Sequence, residues 1–234
     1  MARDINEISI IIPVLNEGDT INSTIDHIRG LTGGKEVEII VVDGDPDGST
    51  LSSIRSSSVV KVMSRRGRSF QMNRGVEESR DGLLIFLHAD TLLPESGLIS
   101  VKEILSEMRA FGAFKLSFDE SNPYLKLVAW LDNKRVRITR IPYGDQTIFM
   151  RRTDFNDLGG YKEIMILEDA DLSRRAKRAG LRFRLDDEPV TTSSRRFQDD
   201  GYLRHSLRYF FLMAMFNIGI GLDRLERFYH RDRN

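Results

Sequence analysis

Ile8–Val14 reads ISIIIPV and runs straight into Leu15-Asn16-Glu17, while Val37–Val42 reads VEIIVV and runs into Asp43-Gly44. Both stretches are short, β-branched and almost continuously apolar, the pattern of strands covered on both faces in a parallel sheet. Between them, Asp19–Leu31 places Ile21, Ile25 and Ile28 at i, i+4 and i+7, with Asp19 or Thr20 able to cap the start and Gly30 near the end. Strand, amphipathic helix and strand in this order make a βαβ unit.

The alternation continues outward. A helix is predicted near Ser49–Ser57, a strand at Val59–Met63, a helix at Ser69–Ser79 and a strand at Leu83–Leu87 (LLIFL). The first ~90 residues therefore read as an open α/β Rossmann-like sheet, which binds its ligand outside the carboxyl ends of the strands. After Pro94 the rhythm changes. Helices are predicted at Ser96–Arg109, Tyr124–Asn133 and Leu167–Ala179, strands at Phe111–Phe118, Gln146–Met150 and Leu181–Leu185, and a last helix at Gly201–Phe228.

Composition narrows the function classes. The chain has 234 residues, 40% of them hydrophobic, enough for a sizeable core and against disorder as a whole. Its 35 basic and 35 acidic side chains cancel, which argues against a nucleic-acid binder held by bulk charge. The absence of Cys removes disulfides, thiolate nucleophiles and Cys-type zinc sites, and fits a reducing cytoplasm. The N-terminus lacks a signal-peptide pattern, and the longest apolar stretch, near Tyr209–Ile220, is too short to span a bilayer. Of the 35 cations, 27 are Arg, a side chain suited to bidentate contact with phosphate.

Polar residues gather where such a sheet places its ligand: Asn16 and Glu17 after the first strand, Asp43 after the second, His88 and Asp90 after the Leu83 strand. One Asp at a strand end can simply cap the next helix; three strand ends together favour a site. In His88-Ala89-Asp90 the two candidate ligands project from one face of an extended chain, and a hard divalent cation shared with substrate phosphates needs little more from a protein.

Pro13-Val14-Leu15-Asn16-Glu17, Val41-Val42-Asp43-Gly44 with Asp47-Gly48-Ser49-Thr50, and Leu87-His88-Ala89-Asp90-Thr91 resemble the family 2 glycosyltransferases of GT-A fold, along nearly the whole chain. Gly67-Arg68-Ser69-Phe70-Gln71-Met72-Asn73, Tyr143-Gly144-Asp145-Gln146 and Thr192-Ser193-Ser194-Arg195-Arg196-Phe197 are more narrowly similar to a bacterial subgroup described as radical-SAM/selenodomain-associated transferases.

The resemblance implies an open mixed sheet flanked by helices, with a donor half (1–91), an acceptor and catalytic half (92–200) and a C-terminal helical element (201–234). It implies an inverting enzyme moving a sugar from a UDP- or GDP-sugar to an acceptor hydroxyl with Mg²⁺ or Mn²⁺. The donor side would comprise Pro13, Leu15, Asn16, Glu17, Asp43, Gly67, Arg68, Gln71, Asn73, His88, Ala89 and Asp90. Asp90 matches the last carboxylate of the family's Asp-x-Asp motif, whose first position is His88 here, and Gly44 stands where a second Asp is usual. Gly144, Asp145, Gln146, Arg195 and Arg196 would lie toward the sugar or acceptor.

Leu167-Glu168-Asp169-Ala170-Asp171 puts three carboxylates in the first turn of a helix. They complement the helix dipole in any case. The resemblance makes Asp169 the general base, with Glu168 as its substitute, and a helix N-terminus is expected to hold the base's pKa down.

The last predicted helix is apolar nearly all round and flanked by Arg204, Arg208, Arg224 and Arg227. It must be covered, by packing, by a second subunit or by the inner membrane surface. Two other readings stay open: a non-catalytic sugar-nucleotide binder on a degenerate transferase fold, and a nucleotidyltransferase. The latter normally carries a Gly-rich basic loop after the first strand, where Pro13–Glu17 stands.

Overall fold

The computed structural model describes residues 7–33, 37–80 and 82–202, with positions 206, 211 and 215. The first half is β1 (Ile8–Val14), α1 (Ile21–Leu31), β2 (Glu38–Asp43), α2 (Ser49–Ser53), β3 (Val60–Met63), α3 (Arg68–Glu78) and β4 (Leu83–Phe86). Then follow β5 (Thr91–Leu92), α4 (Gly97–Glu107), β6 (Ala110–Phe118), α5 (Pro123–Thr139), a 3₁₀ turn at Gly144–Gln146 and β7 (Ile148–Arg151). Helices α6 (Arg152–Asp157) and α7 (Glu168–Arg178), strand β8 (Arg182–Thr192) and helix α8 (Arg195–Asp200) complete the order.

The strands form one eight-stranded sheet, β3-β2-β1-β4-β7-β6-β8-β5. The four strands from the first half are mutually parallel, as the apolar runs predict. Strand β7 then joins β4 antiparallel, β6 joins β7 antiparallel, and β8 runs parallel to β6. This gives the open mixed sheet that the resemblance implies.

Side chains alternate between two buried layers, which is why the strands are apolar throughout. Ile10 and Ile12 of β1 join Ile21 and Ile25 of α1 and Val101 of α4. Ile11, on the opposite face, joins Met72 and Val76 of α3 and Leu172 and Ala176 of α7.

Several boundaries differ from the sequence reading, among them the end of α2, which stops at Ser53 rather than Ser57. Helix α5 runs past Asn133 to Thr139, because Asn133 turns inward and bonds both the N–H and the carbonyl of Leu116, at 2.8 and 3.0 Å. Strand β8 passes beyond Leu185 through an acidic stretch, and the register against β6 shifts there: Phe114 faces Asp186 while Lys115 faces Pro189. Gln146, expected to open a strand, ends the 3₁₀ turn, and β7 starts at Ile148. Short β5, α6 and α8 were not expected. Of the predicted final helix, Gly201 is not helical but ends α8 with a φ of 80°, Tyr202, Ser206, Phe211 and Met215 are helical, and the rest lies outside the described residues. Among the described residues no helix is long and apolar enough to cross a membrane.

Candidate functional site

Parallel pairing of β2, β1 and β4 brings their carboxyl ends to one edge of the sheet. Strand β7 enters from the opposite direction with Ile148 opposite Phe86. The turn before β7, Gly144–Thr147, therefore lies beside the segment after β4, Leu87–Asp90. Pairing of Thr91 with Thr192, and a Ser193 N–H to Asp90 carbonyl bond of 3.0 Å, bring the start of α8 to the same edge.

Helix α7 presents its first turn to this edge. A β-carbon on Gly144 would lie 2.6 Å from Asp169 Oδ2 and 2.7 Å from His88 Nε2, so glycine is what lets the carboxylate and the imidazole converge. Glu168 is fully buried, with Arg68 Nε 2.7 Å from its Oε1 and the Arg68 side chain 39% exposed. Asp169 Oδ1 is buried without a hydrogen-bond partner among the described residues.

Burial, then the neighbouring Glu168, push the Asp169 carboxyl up to about 7, while Arg68 pulls it down. This overturns the expectation of a lowered pKa. The field of one helix end is worth ~0.3–1 kcal/mol near the surface and is outweighed where a carboxylate is fully desolvated beside another. Tyr161, which the sequence reading missed, is buried against the same pair. Its burial, followed by the charge of Asp169, holds the phenol well above its usual range. Its position in a loop before α7 gave no periodic signal.

Several expected site residues hold the site's frame. Asp43 is fully buried: Oδ1 accepts from the Asp45 N–H at 2.9 Å, and Oδ2 from the N–H groups of Thr50 and Leu51 at 3.0 and 3.3 Å. It caps α2 and sets the loop after β2, so three backbone N–H groups occupy its carboxylate. Gln71 Nε2 donates to the carbonyls of Val14 and Val42, at 2.7 and 2.8 Å, tying the ends of β1 and β2 together. Asn73 clasps the backbone of Tyr161 in both directions, at 2.8 and 2.9 Å. Gln146 is buried and faces the Phe114 carbonyl at 3.4 Å.

The other expected residues differ in exposure. Asn16 is exposed with a left-handed φ of 58°, Leu15 is half-buried beside it, and Pro13 is buried in β1. Glu17 pairs with Arg195 at 3.2 Å, bridging the loop after β1 to α8. His88, Asp90, Arg68 and Asp145 are half-buried, and Ala89 is buried, its carbonyl bonded by Thr24 Oγ1 at 2.5 Å. Gly67 has a φ of 133° and starts α3 where a β-carbon would meet the Phe70 ring at 2.7 Å. The Arg196 side chain lies outside the described residues. Arg135 and Tyr143, also missed by the sequence reading, stack at 3.7 Å and brace the Gly144 turn from α5.

A family model for glycosyl transferase family 2 matches residues 9–160, which includes the carboxyl ends of β1, β2 and β4 and the Gly144 turn, but not α7 or β8. The chain belongs to glycosyl transferase family 2. A glucosyl-3-phosphoglycerate synthase of Mycolicibacterium paratuberculosis is 31% identical over 96 residues, covering 37% of this chain and 29% of that protein. The family 2 chain thus spans under a third of the curated relatives it matches. Among solved structures, the glucosyl-3-phosphoglycerate synthase of Mycobacterium tuberculosis, with Mn²⁺, UDP and glucosyl-3-phosphoglycerate, aligns with a TM-score of 0.63 at 16% identity. It covers 94% of this chain and 81% of that one. A mannosyltransferase of Pyrobaculum calidifontis with GDP-mannose and Mn²⁺ gives 0.61 at 19% identity, over 83% and 59%. At such identities these structures share the GT-A fold with this family 2 member.

Proposed function

We propose that the chain is an inverting glycosyltransferase of the radical-SAM/selenodomain-associated subgroup, using a UDP- or GDP-sugar and a divalent cation, with Asp169 as general base. The observation that carries this reading is Asp169 itself: a buried carboxylate, one oxygen of which has no hydrogen-bond partner among the described residues, raised to about 7, at the ligand-binding edge of a GT-A sheet. A base is most effective when its pKa lies near the working pH.

In the reaction the acceptor oxygen bonds to the anomeric carbon while the bond from that carbon to the diphosphate oxygen breaks. The diphosphate leaves with the electron pair, and the hydroxyl proton passes to Asp169. Displacement from the opposite face inverts the centre. Glu168 with Arg68 tunes the base, Gly144 leaves room for it, and Asn16 with Leu15 borders the donor. Arg195, paired with Glu17 at the same edge, and Arg196 are assigned to the diphosphate or acceptor.

Asp90 and His88 offer one carboxylate and one imidazole, and no cluster of three such ligands occurs among the described residues. That donor set fits a divalent cation that Asp90 and His88 would hold together with donor phosphates, and such a cation would supply charge neutralisation to the leaving nucleotide. The cation-bound relatives support this assignment.

The test is a thermal-shift screen of nucleoside diphosphate sugars with and without Mn²⁺, followed by transfer assays of Asp169→Asn. Metal-dependent donor binding that survives in Asp169→Asn, with transfer down ~10²–10⁴-fold, is expected. A fully active variant overturns the base assignment.

A further inference from the structure

Helix α5 is apolar on both sides. Its inner face buries Leu125, Ala129 and Val136. Its outer face carries Leu127 (52% exposed), Trp130 (51%), Leu131 (52%) and Ile138 (81%). At helical spacing these residues fall on one stripe, running about 16 Å along the axis at ~1.5 Å per residue. An exposed helix face normally carries its polar residues there. The cation on the stripe, Lys134, sits 4.0 Å over the Trp130 ring.

The rim is cationic. Arg137 and Arg140, at the end of the same helix, line a groove of about 530 Å³ with Arg182, Phe183, Arg184 and Leu185 from the start of β8. Of the nearby acids, Asp132 pairs with Arg135 at 2.7 Å and Asp187 with Lys115 and Arg137 at 2.7 and 3.2 Å, while Asp186 and Glu188 follow Leu185 along β8, beyond the four groove arginines. An apolar ribbon with an interfacial Trp and an arginine-lined edge matches an anionic lipid surface in both polarity and charge.

We infer that the outer face of α5 docks the protein onto an anionic bilayer, with Leu127, Trp130, Leu131 and Ile138 entering the headgroup boundary and Arg140, Arg182 and Arg184 of the groove meeting lipid phosphates. Charge complementarity selects the bilayer over a second copy, which would set the same cations against each other. The inference does not depend on the reaction assigned above, and it concerns α5 rather than the segment after residue 202.

Trp130 is the chain's one tryptophan, so its emission reports on this face directly. Full-length protein is mixed with vesicles containing phosphatidylglycerol, and separately with vesicles of phosphatidylcholine alone. A blue shift and co-sedimentation with the anionic vesicles, weakened by salt and much smaller with phosphatidylcholine, are expected. Ile138→Asp, at an exposed position, should weaken partitioning by at least ~10-fold. Co-sedimentation without a Trp130 shift would place the contact elsewhere in the chain and overturn the inference. Equal response to both lipids, no binding to either, or a lipid-free shift that follows dimerisation overturns it as well.

Discussion

Gly144 stands so close to Asp169 that a β-carbon on it would lie 2.6 Å from Oδ2, well inside contact distance. The same atom would meet His88 Nε2 at 2.7 Å. Gly144→Ala must therefore push the base, the imidazole or the turn aside. A displacement of that size at a reacting centre costs ~10²-fold. We expect kcat to fall by about that factor, with a stability loss of about 1–3 kcal/mol from overpacking, because Gly144 is buried. A drop in melting temperature that accounts for the lost activity would instead make Gly144 structural.

The raised Asp169 pKa has a sign that can be checked in folding. The folded protein keeps the proton up to about pH 7, whereas an unfolded Asp releases it near 3.8. Asp169 thus favours folding fully below its unfolded pKa, and that advantage is lost as pH rises through about 7. Asp169→Asn has no such loss. Its stability relative to the natural protein should climb across that window, by on the order of 2–4 kcal/mol at its end. Denaturant melts at several pH values measure this, and a pH-independent difference would rule out a buried, protonatable Asp169.

Arg68 is the cation that opposes this shift. Removing it in Arg68→Gln leaves Glu168 buried beside Asp169 without its ion-pair partner. Breaking a fully buried pair costs about 3–5 kcal/mol; with Arg68 39% exposed, solvent screening reduces the expected loss to roughly 1–2 kcal/mol. The rate should also need a higher pH to reach its plateau. A stability loss with an unmoved pH–rate profile would confine Arg68 to structure.

The βαβ start was legible because β1, β2 and β4 are buried on both faces, which leaves a continuous β-branched signature. Antiparallel β7 next to β4, and the mixed half around β8, left no such mark. Their placement depends on the register of Phe86 with Ile148 and of Phe114 with Asp186, which are tertiary facts. The site residues were visible as residue types at strand ends, but type does not separate a ligand contact from a scaffold bond. Asp43, Gln71 and Asn73 spend their polar atoms on backbone groups. The Asp169 pKa was misread because the dipole of α7 is local in sequence while its burial against Tyr161 is not.

Asp43 separates the two kinds of role most sharply. Three backbone N–H groups converge on its two oxygens, so Asp43→Ala strands buried donors and loosens the start of α2. The loss of such a cap costs about 1–2 kcal/mol, and each stranded donor adds to that. The variant should melt below the natural protein in the absence of any nucleotide. Asp43→Asn keeps an acceptor oxygen but sets an amide against N–H donors, and should fall between the two. If Asp43 acted only by touching the base or ribose, both variants would melt as the natural protein does and lose only the shift produced by added nucleotide.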